Sequence, residues 1–361
     1  MTSEHRLIPQ ELRLWGWDDS WGEVFEGFGS NASPARVVAA HRDRWMIRGA
    51  PGAQAARLDS SQWEGPTPTT GDWVGAVPGP QESDPWSILF VLPRRSAVRR
   101  GAAGGTSSAQ VLAANVDRVW IVQALDTPPN LRSLERYLAV VWESGASPEI
   151  VLSKSDLAQD LEGSLAQVQG IAFGVPLWTT SSEQVESLEP LKSSLSAGST
   201  VALLGPSGAG KSTLVNSLTE SESALTGEVR EGDRKGRHTT TARELFRIHN
   251  GALLMDTPGM RELRVVALDD GLDQTFPDIQ VFAERCRFRD CTHVSEPDCA
   301  VLAAVERGAL GEDRLTSYRK LEAEAAHDRR KRDPRAQAEH VADRKTSLKT
   351  LKYHPKHQRR E

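Results

Sequence analysis

Short apolar runs separated by glycine and proline fill the chain from Ala35 to about Ser96. They are apolar throughout or alternate between apolar and polar residues, and they lie at 36–40, 45–47, 71–77 and 88–92. Runs of this length, bounded by turn residues, are typical of β-strands. About five such strands in so short a stretch favour a small closed barrel of the OB-fold type.

The segments on either side of this barrel lack the strand pattern. Upstream, Trp15, Trp17 and Trp21 are followed by the polar stretch 30–34, which we interpret as a linker. Downstream, residues 94–106 are basic and rich in glycine, and this composition predicts a mobile connection to the rest of the chain.

Beyond Ala113, buried-strand runs alternate with segments of helical spacing. The strand runs lie at 116–122, 149–152, 200–204 and 252–255, and helical spacing is found at 131–142 and 211–218. This alternation predicts a mostly parallel, doubly wound α/β sheet. Past Phe276 the chain continues with a helical segment around 300–321 and then a polar tail.

A phosphate-binding loop connects the strand run 200–204 to the helical segment that starts at Lys211. It reads Gly205-Pro206-Ser207-Gly208-Ala209-Gly210-Lys211-Ser212-Thr213 and matches G-x-x-x-x-G-K-[ST]. Glycines let the backbone approach phosphate closely, Lys211 would reach the β- and γ-phosphates, and Ser212 would bind Mg²⁺. The loop suits GTP and ATP equally, because transporter ATPases also carry this string.

The segment that would read the base precedes the phosphate loop instead of following it. Ser153-Lys154-Ser155-Asp156 matches [NT]-K-x-D except at Ser153, and an ordinary GTPase has this segment downstream. Asp156 would accept hydrogen bonds from guanine N1 and N2, which adenine cannot supply. Ser181 and Ser182 follow a strand-like run and are candidates for the loop that contacts guanine O6.

A D-x-x-G segment, Asp256-Thr257-Pro258-Gly259, follows the phosphate loop in the usual way. Asp256 would hold a water on Mg²⁺, and the backbone N–H of Gly259 would face the γ-phosphate. The cyclic order of the three segments is that of a GTPase, but the chain starts at a different point in the cycle. We interpret the chain as a circularly permuted GTPase.

The stretch 236–241, Gly-Arg-His-Thr-Thr-Thr, lies between the phosphate loop and Asp256. A loop threonine at this place normally binds Mg²⁺ and senses the γ-phosphate, and Thr240 and Thr241 are the preferred candidates. His238 either orients the hydrolytic water or is an ordinary solvated loop residue. Met260 stands where Ras-like enzymes place a water-orienting glutamine, so the water is oriented from elsewhere or a partner completes the site.

All three cysteines of the chain lie close together in the sequence, with one histidine among them. Cys286, Cys291, His293 and Cys299 supply three thiolates and one imidazole, which is the ligand set of a closed structural zinc site. A catalytic zinc is not expected, because four protein ligands leave no open position. Arg287 and Arg289 add cations around this cluster, as binding to nucleic acid requires.

The formal net charge of −5 conceals an uneven distribution. Residues 314–361 contain 15 Lys and Arg against 7 Asp and Glu, so a basic tail follows an acidic body. This asymmetry fits a polyanionic partner, and the alternative is a solvated terminus. The chain lacks a long apolar run and a secretory pattern at its start, so we expect a cytoplasmic protein without a membrane partner.

The permuted order, the 236–241 and 256–259 segments and Cys286-Arg287-Phe288-Arg289-Asp290-Cys291-Thr292-His293 closely resemble the bacterial ribosome small-subunit-dependent GTPase A (RsgA) family. The likeness runs from about Ala35 to about Leu321. The resemblance implies an OB-fold, a permuted GTPase domain and a zinc domain. It also implies binding to the 30S subunit and its 16S rRNA late in assembly, with ribosome-stimulated hydrolysis of GTP to GDP.

We therefore predict a multidomain α/β protein that binds GTP or GDP with Mg²⁺, holds one structural Zn²⁺ and acts as a monomer. Its expected parts are an extension (1–34), an OB-fold (35–100), a circularly permuted P-loop GTPase domain (110–270), a zinc-binding helical domain (275–325) and a basic tail (326–361). The alternatives are a non-hydrolysing GTP-regulated RNA-binding switch and a P-loop ATPase.

Overall fold

The computed structural model of the 361-residue chain describes most of the regions discussed above. The described residues are 10–28, 31–41, 43–58, 63–100, 110–226, 243–248, 250–256, 268 and 270–332. Strands and helices are numbered below in chain order within these residues.

The N-terminal extension packs into the body of the protein through its tryptophans. It forms two helices, α1 (Gln10–Arg13) and α2 (Asp19–Glu26), and Asp18 caps α2 by accepting a hydrogen bond from the Trp21 backbone N–H at 2.9 Å. The Trp17 ring meets Trp73 edge-on, with ring centroids 4.7 Å apart. Because Trp15, Trp17 and Trp21 are all buried, this segment contributes to the core.

A closed five-stranded barrel follows, as the alternating pattern predicts. Its strands are β1 (Ser33–Ala40), β2 (Trp45–Gly49), β3 (Gly52–Leu58), β4 (Trp73–Val77) and β5 (Trp86–Val91). β1, β2 and β3 pair in sequence, β3 pairs with β5, β5 with β4, and β4 returns to β1. The linker predicted at 30–34 was wrong at its end, because Ser33 and Pro34 pair with β4.

Ion pairs at Arg94 and Arg95 and a strand at Ala97–Arg100 follow the barrel. The mobile connection predicted at 94–106 was therefore wrong over 94–100, and residues 101–106 lie outside the described residues. Arg94 donates to both carboxylate oxygens of the buried Asp72, at 2.8 and 2.7 Å. Arg95 pairs with Asp18 at 2.7 Å, and its guanidinium lies 4.0 Å from the Trp21 ring centroid. β6 (Ala97–Arg100) then forms an antiparallel pair with β7 (Gln110–Ala114).

The second half of the sheet is doubly wound and mostly parallel, which confirms the predicted fold class. Its strands are β8 (Arg118–Ala124), β9 (Ser147–Ser153), β10 (Leu177–Thr179), β11 (Thr200–Leu204), β12 (Arg243–Arg247) and β13 (Leu253–Asp256). The order is β10-β9-β8-β11-β13-β12, and only the β12–β13 pair is antiparallel. Side chains of β8 alternate between two cores, with Val119 and Ile121 in one and Trp120 and Val122 in the other.

Helices cover both faces of this sheet. They are α3 (Leu131–Glu143), α4 (Leu161–Gln169), α5 (Glu189–Ser193), α6 (Lys211–Thr226) and α7 (Asp270–Thr275). Leu134 and Leu138 of α3 pack in the core with Ile121, whereas Leu191 of α5 and Leu214 of α6 pack in the core with Trp120. Burial of these large apolar side chains on two faces stabilises the doubly wound arrangement.

The barrel and the α/β domain share one continuous sheet of 11 strands. β12 joins them, because Glu244 pairs with Asp256 of β13 on one side and with Ala39 of β1 on the other. Arg36 of β1 reinforces the junction from the interior. Its guanidinium, 2% exposed, donates to the carbonyl oxygens of Trp15, Gly71 and Asn115 and to the Thr200 hydroxyl.

The C-terminal region is helical and is anchored to α3 by Arg314. It contains α8 (Pro277–Ala283), α9 (Ala300–Glu306) and α10 (Glu312–Arg332). The predicted single helical segment at 300–321 is two helices, because the chain turns at Gly308, where φ is +70°. Arg314 donates to Glu135 at 2.5 Å and to Asp278 at 3.0 Å. α10 continues into the region predicted as tail, and residues 333–361 lie outside the described residues.

Candidate nucleotide site and metal centre

The predicted nucleotide-binding segments lie at the carboxyl edge of the parallel strands. β9 ends at Ser153, β10 at Thr179, β11 at Leu204 and β13 at Asp256. These strands run parallel within one sheet, so the segments that follow them emerge at the same edge. Open α/β sheets bind ligands at this edge.

The phosphate loop adopts a glycine-dependent conformation between β11 and α6. Gly205, Gly208 and Gly210 have φ of +147°, +80° and +86°. A Cβ added at Gly205 would lie 2.2 Å from the carbonyl oxygen of Val122, so a side chain is excluded there. Lys211 Nζ donates to the carbonyl oxygens of Gly205 at 2.7 Å and Pro206 at 2.6 Å, folding its side chain over the loop.

The other residues of the phosphate loop differ in their exposure to solvent. Pro206 and Ser207 follow Gly205 directly, Ala209 is buried, and Ser212 and Thr213 lie exposed in the first turn of α6. An exposed hydroxyl at Ser212 is accessible to a cation. Asp256 ends the neighbouring strand β13, so its backbone lies at the same edge as this turn. The assignment of Ser212 and Asp256 as Mg²⁺ ligands stays a prediction, because only the backbone of Asp256 is described.

Ser153 links the end of β9 to the phosphate loop. Its buried Oγ donates to the Ala209 carbonyl oxygen at 2.6 Å, and the Gln123 carbonyl oxygen lies 3.5 Å away. Serine reaches this carbonyl because the loop approaches closely, and a Cβ at Gly210 would lie only 3.4 Å from Ser153 Oγ. The departure from Asn or Thr therefore still leaves a hydroxyl that bridges the two segments.

Lys154 and Asp156 have side-chain partners that are far away in the sequence. Lys154 Nζ lies 2.5 Å from Asp126 Oδ2, and the Lys154 backbone is left-handed, with φ of +55°. Asp156 Oδ1 accepts a hydrogen bond from the Ser181 hydroxyl at 2.5 Å. Ser155 is tied to the Thr180 carbonyl oxygen by its backbone N–H at 3.1 Å and by its hydroxyl at 3.2 Å.

The structure thus brings Ser153, Lys154, Ser155, Asp156 and Ser181 to the phosphate-loop edge, with the exposed Ser182 beside them. Asp126 was missed at the sequence level. Its position offered a way to find it, because Asp126 follows the end of β8, and β8 is a parallel strand next to the phosphate-loop strand.

Several predicted residues lie outside the described residues. They are His238, Thr239, Thr240, Thr241, Gly259 and Met260. For Asp256, the backbone position at the end of β13 is described. The described part of the candidate nucleotide site therefore consists of the phosphate loop, the 153–156 segment and the loop that carries Ser181.

Cys286, Cys291, His293 and Cys299 form a compact cluster between α8 and α9. Their ligand atoms all lie within 4.8 Å of one another. His293 Nδ1 is 3.6 Å from Cys286 Sγ and 3.5 Å from Cys299 Sγ, and the two sulfurs are 3.9 Å apart. Tetrahedral zinc with ordinary bond lengths requires N–S and S–S separations of about 3.6 and 3.8 Å. The donor set and the spacing of these three ligands therefore fit a zinc ion, and Cys291 Sγ lies within 4.8 Å of each of them.

The protein around this cluster orients the ligands. Glu296 accepts hydrogen bonds from the backbone N–H groups of Thr292, Val294 and Ser295 at 2.9, 2.9 and 3.0 Å, which holds the loop carrying His293. His293 has a left-handed backbone, with φ of +57°. Cys299 precedes α9 and accepts from the Leu302 N–H at 3.5 Å.

The cysteine pKa values diverge within the cluster. Burial raises the pKa of Cys291 to about 11, and the neighbouring thiol groups add to the shift. Burial also acts to raise the pKa of Cys286, but hydrogen bonds from the backbone N–H groups of Val301 and Ala300 and from the other two cysteines together lower it. Three closely spaced thiols cannot all ionise easily without a cation, and a divalent metal removes this conflict.

Comparison with protein-family profiles gives two matches. Residues 91–266 match the family described as RsgA GTPase, and residues 188–346 match the family described as ABC transporter. Both matched ranges contain the phosphate loop, which the two classes share. The chain contains no Leu-Ser-Gly-Gly string, which a transporter ATPase also needs.

Curated relatives match almost the whole chain. A protein of Streptomyces coelicolor named small ribosomal subunit biogenesis GTPase RsgA is 43% identical over 344 residues, covering 94% of this chain and 93% of the relative. A protein of the same name from Opitutus terrae is 43% identical over 333 residues, with 88% and 91% covered.

Solved structures show a similar architecture. The crystal structure of YjeQ from Thermotoga maritima has a TM-score of 0.60 and 25% identity, covering 81% of this chain and 98% of that one. YloQ, described as a circularly permuted GTPase, has a TM-score of 0.58 and 25% identity, with 82% and 95% covered. Within the described residues, no helix has the length and apolar character needed to cross a membrane.

Proposed function

The chain belongs to the RsgA GTPase family, and we propose that it hydrolyses GTP while bound to the 30S ribosomal subunit, as a factor in small-subunit assembly. The relatives that match it over most of its length are named small ribosomal subunit biogenesis GTPases. The observation that carries the proposal is the bond from Ser153 Oγ to the Ala209 carbonyl oxygen at 2.6 Å. It joins the guanine-binding segment to the phosphate loop despite their reversed order in the chain.

In this proposal the phosphate loop, Gly205 to Thr213, binds the phosphates, with Lys211 at the β- and γ-phosphates. Ser212, Thr240 and Asp256 would hold Mg²⁺, which would supply positive charge there, and Gly259 would contact the γ-phosphate. Asp156 reads the guanine edge, and its partner Ser181, with Ser182, lines the base pocket. A carboxylate that accepts from guanine N1 and N2 favours GTP over ATP.

Hydrolysis by the free protein is expected to be slow, because Met260 has no polar group to orient the attacking water. The candidates for water positioning and γ-phosphate sensing are His238, Thr240 and Thr241. We infer that the 30S subunit completes or orders this arrangement, which would make turnover depend on the ribosome.

The C-terminal domain is assigned a structural zinc and an RNA-facing surface. Cys286, Cys291, His293 and Cys299 would hold the ion, which would stabilise the fold of this domain. Arg287 and Arg289 are exposed beside the ligands and would contact 16S rRNA phosphates, together with the barrel and the basic tail. The proposed protein is a cytoplasmic monomer.

The decisive experiment measures GTP turnover with and without purified 30S subunits. We expect slow turnover alone and a large increase with subunits, and Lys211→Ala should abolish nucleotide-dependent binding to the subunit. Turnover of many per second without subunits would contradict the partner-completed site. A protein that binds GTP and 30S subunits without any hydrolysis would favour the non-hydrolysing switch, and preference for ATP would favour the P-loop ATPase.

A further inference from the structure

Asp126 lies two residues beyond the end of β8 and belongs to none of the nucleotide-binding motifs. Its Oδ2 is 2.5 Å from Lys154 Nζ. We propose that Asp126 is a positioning residue for guanine recognition, acting by fixing the side chain of Lys154 as one wall of the base pocket. This inference rests on the proposed function, because it assigns a further residue to the same site.

Backbone contacts hold Asp126 and Lys154 next to each other. The Leu125 N–H donates to the Ser153 carbonyl oxygen at 2.9 Å, so the residues immediately before Asp126 and Lys154 are bonded to each other. On its other side, Asp126 is followed by a short segment that contains two prolines and ends at Asn130, the N-cap of α3. Asp126 is therefore held between a strand end and a helix start.

The backbone of Lys154 is fixed in an unusual conformation, whereas its long side chain is not fixed by the backbone. Its backbone, with φ of +55° and ψ of +40°, is in the left-handed region that residues with a side chain rarely adopt. A lysine side chain also has several rotatable bonds and loses considerable entropy when ordered. The bond to Asp126 selects one orientation of the ammonium group before nucleotide arrives.

The contribution of the pair to folding stability should be small. The side chains of Lys154 and Asp126 are 32% and 40% exposed, and exposed ion pairs add little to stability. The ion pair is expected to affect nucleotide binding instead, because preorganised side chains lose less conformational freedom when the ligand binds. The four methylenes of Lys154 then offer an apolar surface to the face of the purine ring.

The two carboxylates near the base have different roles in this scheme. Asp156, held by Ser181, reads the edge of guanine, whereas Asp126 acts on the ring face through Lys154. Loss of Asp126 should weaken binding of any nucleotide that carries the purine ring. GDP and IDP should be affected to the same extent, and pyrophosphate, which occupies only the phosphate loop, should be unaffected.

Calorimetric titration of the full chain with GDP, IDP and pyrophosphate tests this assignment. Asp126→Ala and the milder Asp126→Asn should weaken GDP and IDP by roughly three- to fivefold, as expected for a partly exposed ion pair. Glu162→Gln, which removes an exposed carboxylate on α4, is the charge-matched control and should leave all three affinities unchanged. In a Lys154→Met background, Asp126→Ala should have no further effect.

Three outcomes would overturn the inference. They are unchanged GDP affinity in Asp126→Ala, an equal loss of affinity for pyrophosphate, and an undiminished effect of Asp126→Ala in the Lys154→Met background. The last two would show that Asp126 acts on the phosphate loop or on the fold generally. A wild-type chain that binds pyrophosphate but neither GDP nor GTP would instead contradict the proposed function itself.

Discussion

At the scale of single residues, the hydroxyl of Ser153 is the contact that joins the two halves of the candidate nucleotide site. Ser153→Ala removes the bond to the Ala209 carbonyl oxygen and leaves that carbonyl without its partner. The expected result is a GDP affinity lower by about fivefold, corresponding to about 1 kcal/mol for one hydrogen bond. Fluorescence titration with a labelled GDP measures this change.

Ser153→Thr is the matched control, because it keeps the hydroxyl and restores the more usual residue. Its affinity should equal that of the wild type or exceed it. If Ser153→Ala bound GDP as tightly as the wild type, the hydroxyl would be a packing feature of the β9 end and would not support the phosphate loop.

The metal cluster gives a second prediction at this scale. Cys291→Ser removes one of four ligands from a closed site, and such sites contribute directly to folding. We expect loss of about one zinc per chain in metal analysis and faster proteolysis beyond Phe276. Ser295→Ala, which leaves every ligand and the backbone bond to Glu296 in place, should keep both properties of the wild type. Full zinc content in Cys291→Ser would argue against the four-ligand assignment.

At the scale of secondary structure elements, β12 joins the barrel to the α/β domain. It pairs with β13 over Glu244–Arg247 and with β1 of the barrel at Arg243 and Glu244. Backbone amides bonded within a sheet interior exchange slowly, because exchange requires local opening. A hydrogen-exchange experiment should therefore show protection of residues 244–247 comparable to that of 253–255.

The edge strand β10 is the internal reference, since it pairs only with β9 among the described residues. Its amides should exchange faster than those of β12. Rapid exchange throughout β12 would mean that the barrel and the α/β domain do not share a continuous sheet in solution.

At the scale of the whole molecule, Arg36 ties together the extension, the barrel and the α/β domain. Burial lowers its pKa only to about 10, so the guanidinium stays charged at neutral pH. Arg36→Met keeps much of the volume but leaves the carbonyl oxygens of Trp15, Gly71 and Asn115 without this donor. We expect a loss of about 3 kcal/mol in the free energy of unfolding.

Denaturant unfolding measures that loss, with Arg57→Met as the control, because Arg57 lies exposed on β3. Arg57→Met should unfold within about 0.5 kcal/mol of the wild type. Equal stability of the two variants would show that Arg36 is replaceable, and that the tryptophan contacts and the shared sheet alone hold the parts together.

The sequence by itself determined the features that depend on local order and residue chemistry. Strand and helix periodicity predicted the barrel and the doubly wound sheet, and the fold confirmed both. The cyclic order of motifs predicted the permutation, because a circular permutation moves the termini and leaves the sheet unchanged. The Cys₃His set was recognisable because thiolate and imidazole ligands are few and close in sequence.

Tertiary structure alone decided the contacts between residues remote in the chain. Asp126 meets Lys154, Ser153 meets Ala209, and Arg36 meets Thr200 only because strands from different parts of the chain lie side by side. Periodicity reports which face of an element is buried, but it carries no information on which strand becomes its neighbour. The ordered connection at Arg94 and Arg95 has the same cause, since a basic stretch stays in place only where folding brings carboxylates to it.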